Sequence, residues 1–274
     1  MSGPRIVFVK LGGSLITDKN QPMTPRLEVI QRLADEIMGA TTAMPDLQLL
    51  IGHGSGSFGH AVAHQYQTQS GGRGQDYWRG FSEVWEAARQ LNQIVINALI
   101  RSGLPVIAFP PSASIISKNT LIKSWDISPI QVALAHKLVP VVYGDVVFDT
   151  HLGGTILSTE AIFQHLAGVI HPRTILLAGL DQGVYQDPDQ PAEIISHITP
   201  HTINAVLPAL STSQSVDVTG GMVSKVKLML AMVQNDPSLK VRIFSGLEPG
   251  NLYQALAAEN TPIGTLISHQ EHTR

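Results

Sequence analysis

Short β-branched or apolar runs that stop in glycines, alternating with amphipathic stretches of helix length, constrain this chain more than any other feature. Ile6–Leu11 (IVFVKL) ends in Gly12-Gly13, and Leu47–Ile51 runs into a loop holding Gly52, Gly54, Gly56 and Gly59. Val106–Phe109 and Val139–Tyr143 have the pattern of buried strands, and further strands are expected at Thr174–Ala178, Val241–Phe244 and, near the end, Thr265–Ile267. Between them, Thr24-Pro25 forms an N-cap signal before Leu27, Ile30, Leu33, Ala34 and Ile37, with Gly39 as the stop. Val84, Ala88, Leu91, Val95 and Ala98 make a stripe within Ser82–Arg101, closed by Gly103 and Pro105. Ser128-Pro129-x-Gln131 spells a capping box, and Met222–Gln234 a further helix. Strand and helix taking turns predict βαβ units, a mainly parallel sheet and helices on both faces. Gly71–Gly74 and Gln186–Pro191 are expected to be surface loops or hairpin tips.

Composition narrows the function classes. Charged residues are 14% of the 274 and hydrophobic ones 43%, which excludes a disordered chain. A net charge of −3 leaves no basic excess to displace counterions, so a nucleic-acid partner is not expected. Cysteine is absent, and with it any disulfide, thiolate nucleophile or Cys-ligated zinc. The opening MSGPRIVFVKLGG is too short an apolar run for a signal peptide, and no stretch reaches the ~20 residues that span a bilayer. The expectation is a soluble cytoplasmic protein with no membrane partner.

In open α/β sheets, ligands gather at the carboxyl ends of strands. Three glycine clusters stand at such places: Gly12-Gly13, Gly52–Gly59, and Gly220-Gly221 before a helix. Glycine lets backbone N–H groups approach an oxyanion, and a helix N-terminus adds positive charge. Three such loops predict a ligand with several phosphates. No GxxxxGK[ST] is present, and the GxGxxG at 54–59 is weak by itself. Lys10 ends an apolar strand, where a buried ammonium costs several kcal/mol unless an anion compensates it. At the strand tip it can instead snorkel to water. The glycines after it, and Lys19 nearby, favour an anion-binding role. Lys225 lies four residues past Gly221.

VKLGGSLITDK (9–19), GHGSGSFGH (52–60), YGDVV (143–147) and DVTGGMVSK (217–225) together resemble the amino acid kinase family, and within it the isopentenyl phosphate kinases. The KLGGS turn and the last two motifs mark the fold; the GxFGH ending is the narrower signal. The resemblance covers nearly the whole chain. It implies one αβα sandwich over residues 1–274, with an acceptor lobe over about 1–170 and a nucleotide lobe over about 171–274. It further implies transfer of the γ-phosphoryl group of ATP, with Mg²⁺, to isopentenyl phosphate, a step in isoprenoid biosynthesis by a mevalonate route. Such a transfer needs alignment and charge neutralisation, and the acceptor phosphate, already ionised, needs no general base. No metal-ligating protein residue is assigned, and a homodimer is an open option.

Carried over residue by residue, the resemblance gives Lys10, Lys19, His60, Glu160 and Lys225 the catalytic roles. Lys10, Gly12, Gly13, Ser55, Gly179, Asp181, Tyr185, Gly221 and Lys225 would hold ATP. Gly54, Gly59, His60, Asp145 and Thr159 would hold the acceptor. His60 would donate a charge-assisted hydrogen bond to phosphate; a solvent-facing histidine at a helix start is the plain alternative. Asp145 would stand near the acceptor or simply form a turn, and Asp217 would order its loop. The chain departs from the family at Ser158-Thr159-Glu160-Ala161, where Ser-Gly-Asp-Asp is usual, at Gly179–Tyr185 (GLDQGVY), where acidic residues are altered, and at Ser55, where glycine is common. Tyr77, Trp78, Phe81 and Trp85 could enclose a five-carbon tail, though helical spacing favours core packing for Trp85. A same-fold kinase for a carboxylate, carbamate or phosphonate, and a non-catalytic nucleotide or oxyanion binder, are the competing functions.

Overall fold

The computed structural model describes residues 5–187, 193–204, 206 and 221–270, the side chains of 60 and 61 excepted. In chain order the elements begin β1 (Arg5–Leu11), α1 (Gly13–Ile16), α2 (Leu27–Ala43), β2 (Leu47–His53), α3 (Gly56–Tyr66) and α4 (Gln75–Arg101). They continue β3 (Val106–Ala108), β4 (Ile116–Lys118), β5 (Leu121–Ser124), α5 (Ser128–Ala135), β6 (Val139–Tyr143), β7 (Asp145–Asp149), β8 (Gly153–Leu157) and α6 (Thr159–Ile170). The described remainder is β9 (Thr174–Gly179), β10 (His197–Ile198), α7 (Gly221–Asn235), β11 (Lys240–Ser245), α8 (Asn251–Ala257) and β12 (Thr265–Ile267).

Eight strands form the central sheet in the order β10-β12-β11-β9-β1-β2-β6-β3. Every neighbouring pair is parallel except β11 with β12. β1 lies mid-sheet between β2, which follows it in the chain, and β9, which comes far later. The strand order therefore reverses beside β1, the arrangement that opens a crevice at the strands' carboxyl ends.

Alternation along β1 divides the core between two faces. Val7, Val9 and Leu11 pack with α2 (Leu33, Ile37), α4 (Leu91, Val95) and α8 (Leu252). Phe8 faces the other way, toward α5, α6 and α7, through Ile130, Phe163 and Met229. Its ring centroid is 5.2 Å from that of Phe163. The result is an αβα sandwich with a mainly parallel sheet, as the alternation of elements predicts.

Local signals fail where tertiary contacts override them. Pro25 pairs with Thr17 in a β-bridge, so the chain stays extended and α2 begins at Leu27 with Arg26 as its cap. Gly39 is passed without a break because Ile37 and Ala40 on either side are buried; the helix continues to Ala43, just before Met44-Pro45. The capping box at Ser128 is not formed: the Ser128 amide donates to Asp126 Oδ1, and Ile127 is the N-cap. α4 begins at Gln75, about two turns before Ser82. The segment Val106–Phe109 is not a buried strand; β3 is the sheet edge, and Ile107 is 42% exposed. A second sheet, β5-β4-β7-β8, escapes the sequence patterns altogether. Gln186 begins a hairpin loop with Glu193, while 188–192 lie outside the described residues.

Candidate active site

The glycine loops after β1 and β2 meet in backbone contact. A Cβ at Gly13 would lie 2.5 Å from Gly56 N, and one at Gly54 only 2.9 Å from Gly13 N. Neither gap admits a side chain. Gly56 has φ +49 and faces Thr17, whose Oγ1 accepts from the Ser57 amide at 2.9 Å. The Thr24 amide in turn donates to Ser57 Oγ. The 17–24 segment, which carries Lys19, is thus sewn to the first turn of α3. Gly59 has a different reason to be glycine: its Cβ would sit 2.7 Å from that of Ser55.

Lys10 does not snorkel. It is 8% exposed, and its Nζ lies 2.9 Å from Glu160 Oε1 in the first turn of α6. Burial pushes the Glu160 carboxyl up, but the charges of Lys10 and then Lys225 outweigh it and hold the group below its ordinary value. Ser158 caps α6 by accepting from the Ala161 amide at 3.2 Å. Thr159 Oγ1 donates to the His53 carbonyl at 2.6 Å, fixing the start of α6 against the end of β2. Gly52 is the notch that admits it, since a Cβ there would meet Thr159 Cγ2 at 2.5 Å.

The remaining sequence-predicted residues divide by position. Gly12 abuts Ala178 of β9, donating to its carbonyl at 2.8 Å. Gly179 is the last residue of β9, and no atom would crowd a Cβ there within 4 Å. Lys19 is exposed in the turn after α1, and Gly221 starts α7 with φ +63. Asp181 is exposed, whereas the Tyr185 hydroxyl accepts from the Gln182 amide at 3.2 Å. Asp145 is 1% exposed and accepts from the Ser112 and Val146 amides, and burial raises its carboxyl to about 6 despite those bonds. The backbone of His60 is in α3; its side chain, with Asp217 and Gly220, lies outside what is described.

Trp78, Phe81 and Phe148 gather beside Tyr77, with centroid distances of 5.2 Å for Phe81–Phe148 and 5.3 Å for Trp78–Phe81. Val62 and Ala63 of α3 and Ile156 of β8 border the group. Trp85 is neither part of it nor core: it is 38% exposed under the Arg89 guanidinium.

Two residues escape the sequence reading. His53, in the same glycine motif as His60, is fully buried: its Nδ1 is 3.1 Å from the Gly54 carbonyl and its Nε2 3.1 Å from Asn92 Oδ1. Its ring stacks on Tyr143 at 5.3 Å. Asp149 accepts from Ser117 Oγ and from the amides of Asn119, Thr120, His151 and Leu152, tying the β4–β5 hairpin to the β7–β8 turn. An aspartate before a turn was the only local sign of it.

A sandwich whose mid-sheet strands end in interlocked glycine loops, with a buried lysine–carboxylate pair beside them, defines a phosphate-handling α/β protein. The chain belongs to the amino acid kinase family, whose model matches residues 5–245. It is therefore a kinase-class fold rather than a dinucleotide-binding one. Among similar proteins, an isopentenyl phosphate kinase of Methanocaldococcus jannaschii is 34% identical over 93% of this chain and 96% of its own length. That of Methanothermobacter thermautotrophicus is 32% identical over 96% and 99% respectively. A solved isopentenyl phosphate kinase structure superposes with a TM-score of 0.81 at 29% identity, covering 96% of this chain and all of that one. No described helix is long and apolar enough to cross a membrane.

Proposed function

We propose that this chain is an ATP-dependent kinase that phosphorylates isopentenyl phosphate to isopentenyl diphosphate. The observation that carries the kinase reading is Lys10, buried at the tip of β1, paired with Glu160 and next to the interlocked glycine loops. The acceptor follows from similarity to isopentenyl phosphate kinases across nearly the full length of both chains.

In this reading an acceptor phosphate oxygen attacks the γ-phosphorus as the bond to the β–γ bridging oxygen breaks, and ADP leaves with that electron pair. The acceptor supplies its own ionised oxygen. Lys10 neutralises charge on the moving phosphoryl, Lys225 on the ATP phosphates, and Lys19 assists from its turn. Amides of Gly13 and Ser55 point donors at the same oxygens, while Gly12, whose own amide is taken by the Ala178 carbonyl, lets the chain turn closely past the nucleotide phosphates. Gly54, Gly59, His60, Asp145 and Thr159 shape the acceptor side; Gly179, Asp181, Tyr185 and Gly221 shape the nucleotide side. The Trp78–Phe81–Phe148 group takes the apolar tail. The chain thus divides into an acceptor lobe (about 1–170) and a nucleotide lobe (about 171–274). Among the described residues no three His, Asp or Glu side chains converge as a metal site. Glu160 is engaged by lysines, so Mg²⁺ fits here as a cation carried by the phosphates of ATP, which supplies charge neutralisation when bound.

The test is ADP release with ATP, Mg²⁺ and a panel of small phosphates, carboxylates, carbamates and phosphonates, with products identified by phosphorus NMR. Turnover of isopentenyl or dimethylallyl phosphate, abolished in a folded His60→Ala variant, is the expected result. Turnover of a carboxylate instead, or of no acceptor although ATP binds, overturns it. Light scattering and cell fractionation test the homodimeric, cytoplasmic form.

A further inference from the structure

We infer that His53 is a positioning residue that holds the 54–55 peptide with its N–H turned toward the phosphates; the inference rests on the kinase reading above. The Gly54 carbonyl can only accept, so the imidazole nitrogen 3.1 Å from it, Nδ1, is the donor. Burial pushes the His53 pKa below its ordinary value, which keeps the ring neutral, so Nε2 carries no proton. Nε2 then accepts from the Asn92 amide, whose nitrogen, rather than the oxygen assigned there at 3.1 Å, faces the ring. Stacking on Tyr143 fixes the plane in which Nδ1 points.

The consequence lies one bond further along. No peptide bond among the described residues is cis, so the Ser55 N–H points opposite to the Gly54 C=O. With that carbonyl drawn back to the imidazole, the Ser55 N–H is directed away from His53 and the α4 layer. No acceptor among the described residues takes it, nor the N–H of Gly56 beside it. Glycine at 54 makes this peptide easy to turn over. Turned over, it would offer a carbonyl oxygen to an incoming phosphate, replacing attraction by repulsion. His53 blocks that turn without touching substrate.

A mostly structural histidine and a peptide clamp make different predictions. Asparagine can place a donor where Nδ1 stands, glutamine only where Nε2 stands, and phenylalanine keeps the stack alone. We expect kcat for His53→Phe and His53→Gln to fall about 100-fold, the scale of one lost oxyanion donor, with acceptor KM moving less than about threefold. His53→Asn should recover most of kcat. Nitrogen-15 NMR of the wild-type ring at pH 7 to 8 should show a neutral Nδ1–H tautomer, a readout independent of any variant's folding. An Nε2–H tautomer overturns the inference, as does His53→Gln matching or exceeding His53→Asn, or a folded His53→Phe with kcat undiminished. If wild-type protein phosphorylates no isoprenoid phosphate, the function reading fails, while the tautomer still decides this one.

Discussion

Asp145 offers the cleanest quantitative test of the structure, because a buried carboxylate with no cation beside it among the described residues should leave a signature in stability against pH. Its carboxyl rises from 3.8 to about 6 through burial, only partly offset by hydrogen bonds from Ser112 and Val146. At 1.36 kcal/mol per pKa unit the shift corresponds to about 3 kcal/mol. The folded pKa is raised, so the stabilising contribution is complete below the unfolded value near 4 and is lost as pH rises through 6. Asp145→Asn cannot ionise and lacks that loss. Asparagine has one acceptor oxygen for two amide donors, so the variant pays a roughly constant penalty of about 1–3 kcal/mol. The variant's stability relative to wild type should therefore climb by about 2.4 kcal/mol between pH 4 and pH 7.5, whatever the offset. Urea unfolding followed by tryptophan fluorescence at several pH values measures it. A difference flat with pH, or one that falls, refutes the assignment of an uncompensated buried carboxylate.

Further perturbations follow from the other contacts. Glu160→Gln should lower kcat about 10–1,000-fold while the fold survives, as Lys10 loses the carboxylate that aims it; steady-state kinetics beside circular dichroism would show it, and unchanged kcat would refute the pairing's role. Because the Glu160 carboxyl sits below its ordinary value of 4.5, wild type should lose this pair's stabilisation only as pH falls below about 4.5, and Glu160→Gln should lack that acid-side loss. Gly54→Ala puts a methyl 2.9 Å from Gly13 N, and kcat/KM should drop at least about 100-fold, measured beside thermal stability. Phe163→Ala, removing a fully buried ring, should cost about 3–5 kcal/mol in denaturant unfolding.

Legibility followed the range of the interactions involved. β1, β2, β9 and β11 were readable because a central parallel strand must be apolar on both faces, so five or six residues carry the whole signal. β4, β5, β7 and β8 were not, since each is three to five residues long and their two turns are tied together by Asp149, which accepts from four backbone amides and from Ser117 Oγ. The Thr24 and Ser128 caps were misread because Thr17 and Asp126 compete for the same stretches. Within GHGSGSFGH the two histidines look alike on paper. What separates His53 is Asn92 and Tyr143, far along the chain, and no local pattern announces them. Trp85 shows the converse: helical spacing pointed it inward, but Arg89 covers it at the surface.

Glu160 illustrates why a site for two anionic phosphates should contain a carboxylate at all. By simple charge counting it wastes attraction, since it offsets one of the lysines meant for the ligands. Before any phosphate arrives, however, Lys10 is 8% exposed and would be a buried charge without compensation. Glu160, placed by the Ser158 cap and the Thr159–His53 bond on the rigid start of α6, supplies that compensation in a fixed direction. Lys10 and Lys225 together with one carboxylate leave a net positive charge already oriented. An arriving phosphate then meets donors that need little rearrangement, which is where electrostatic catalysis gains its advantage over water. The 2.9 Å contact shows that Glu160, where the family motif carries an aspartate, makes a direct ion pair with Lys10.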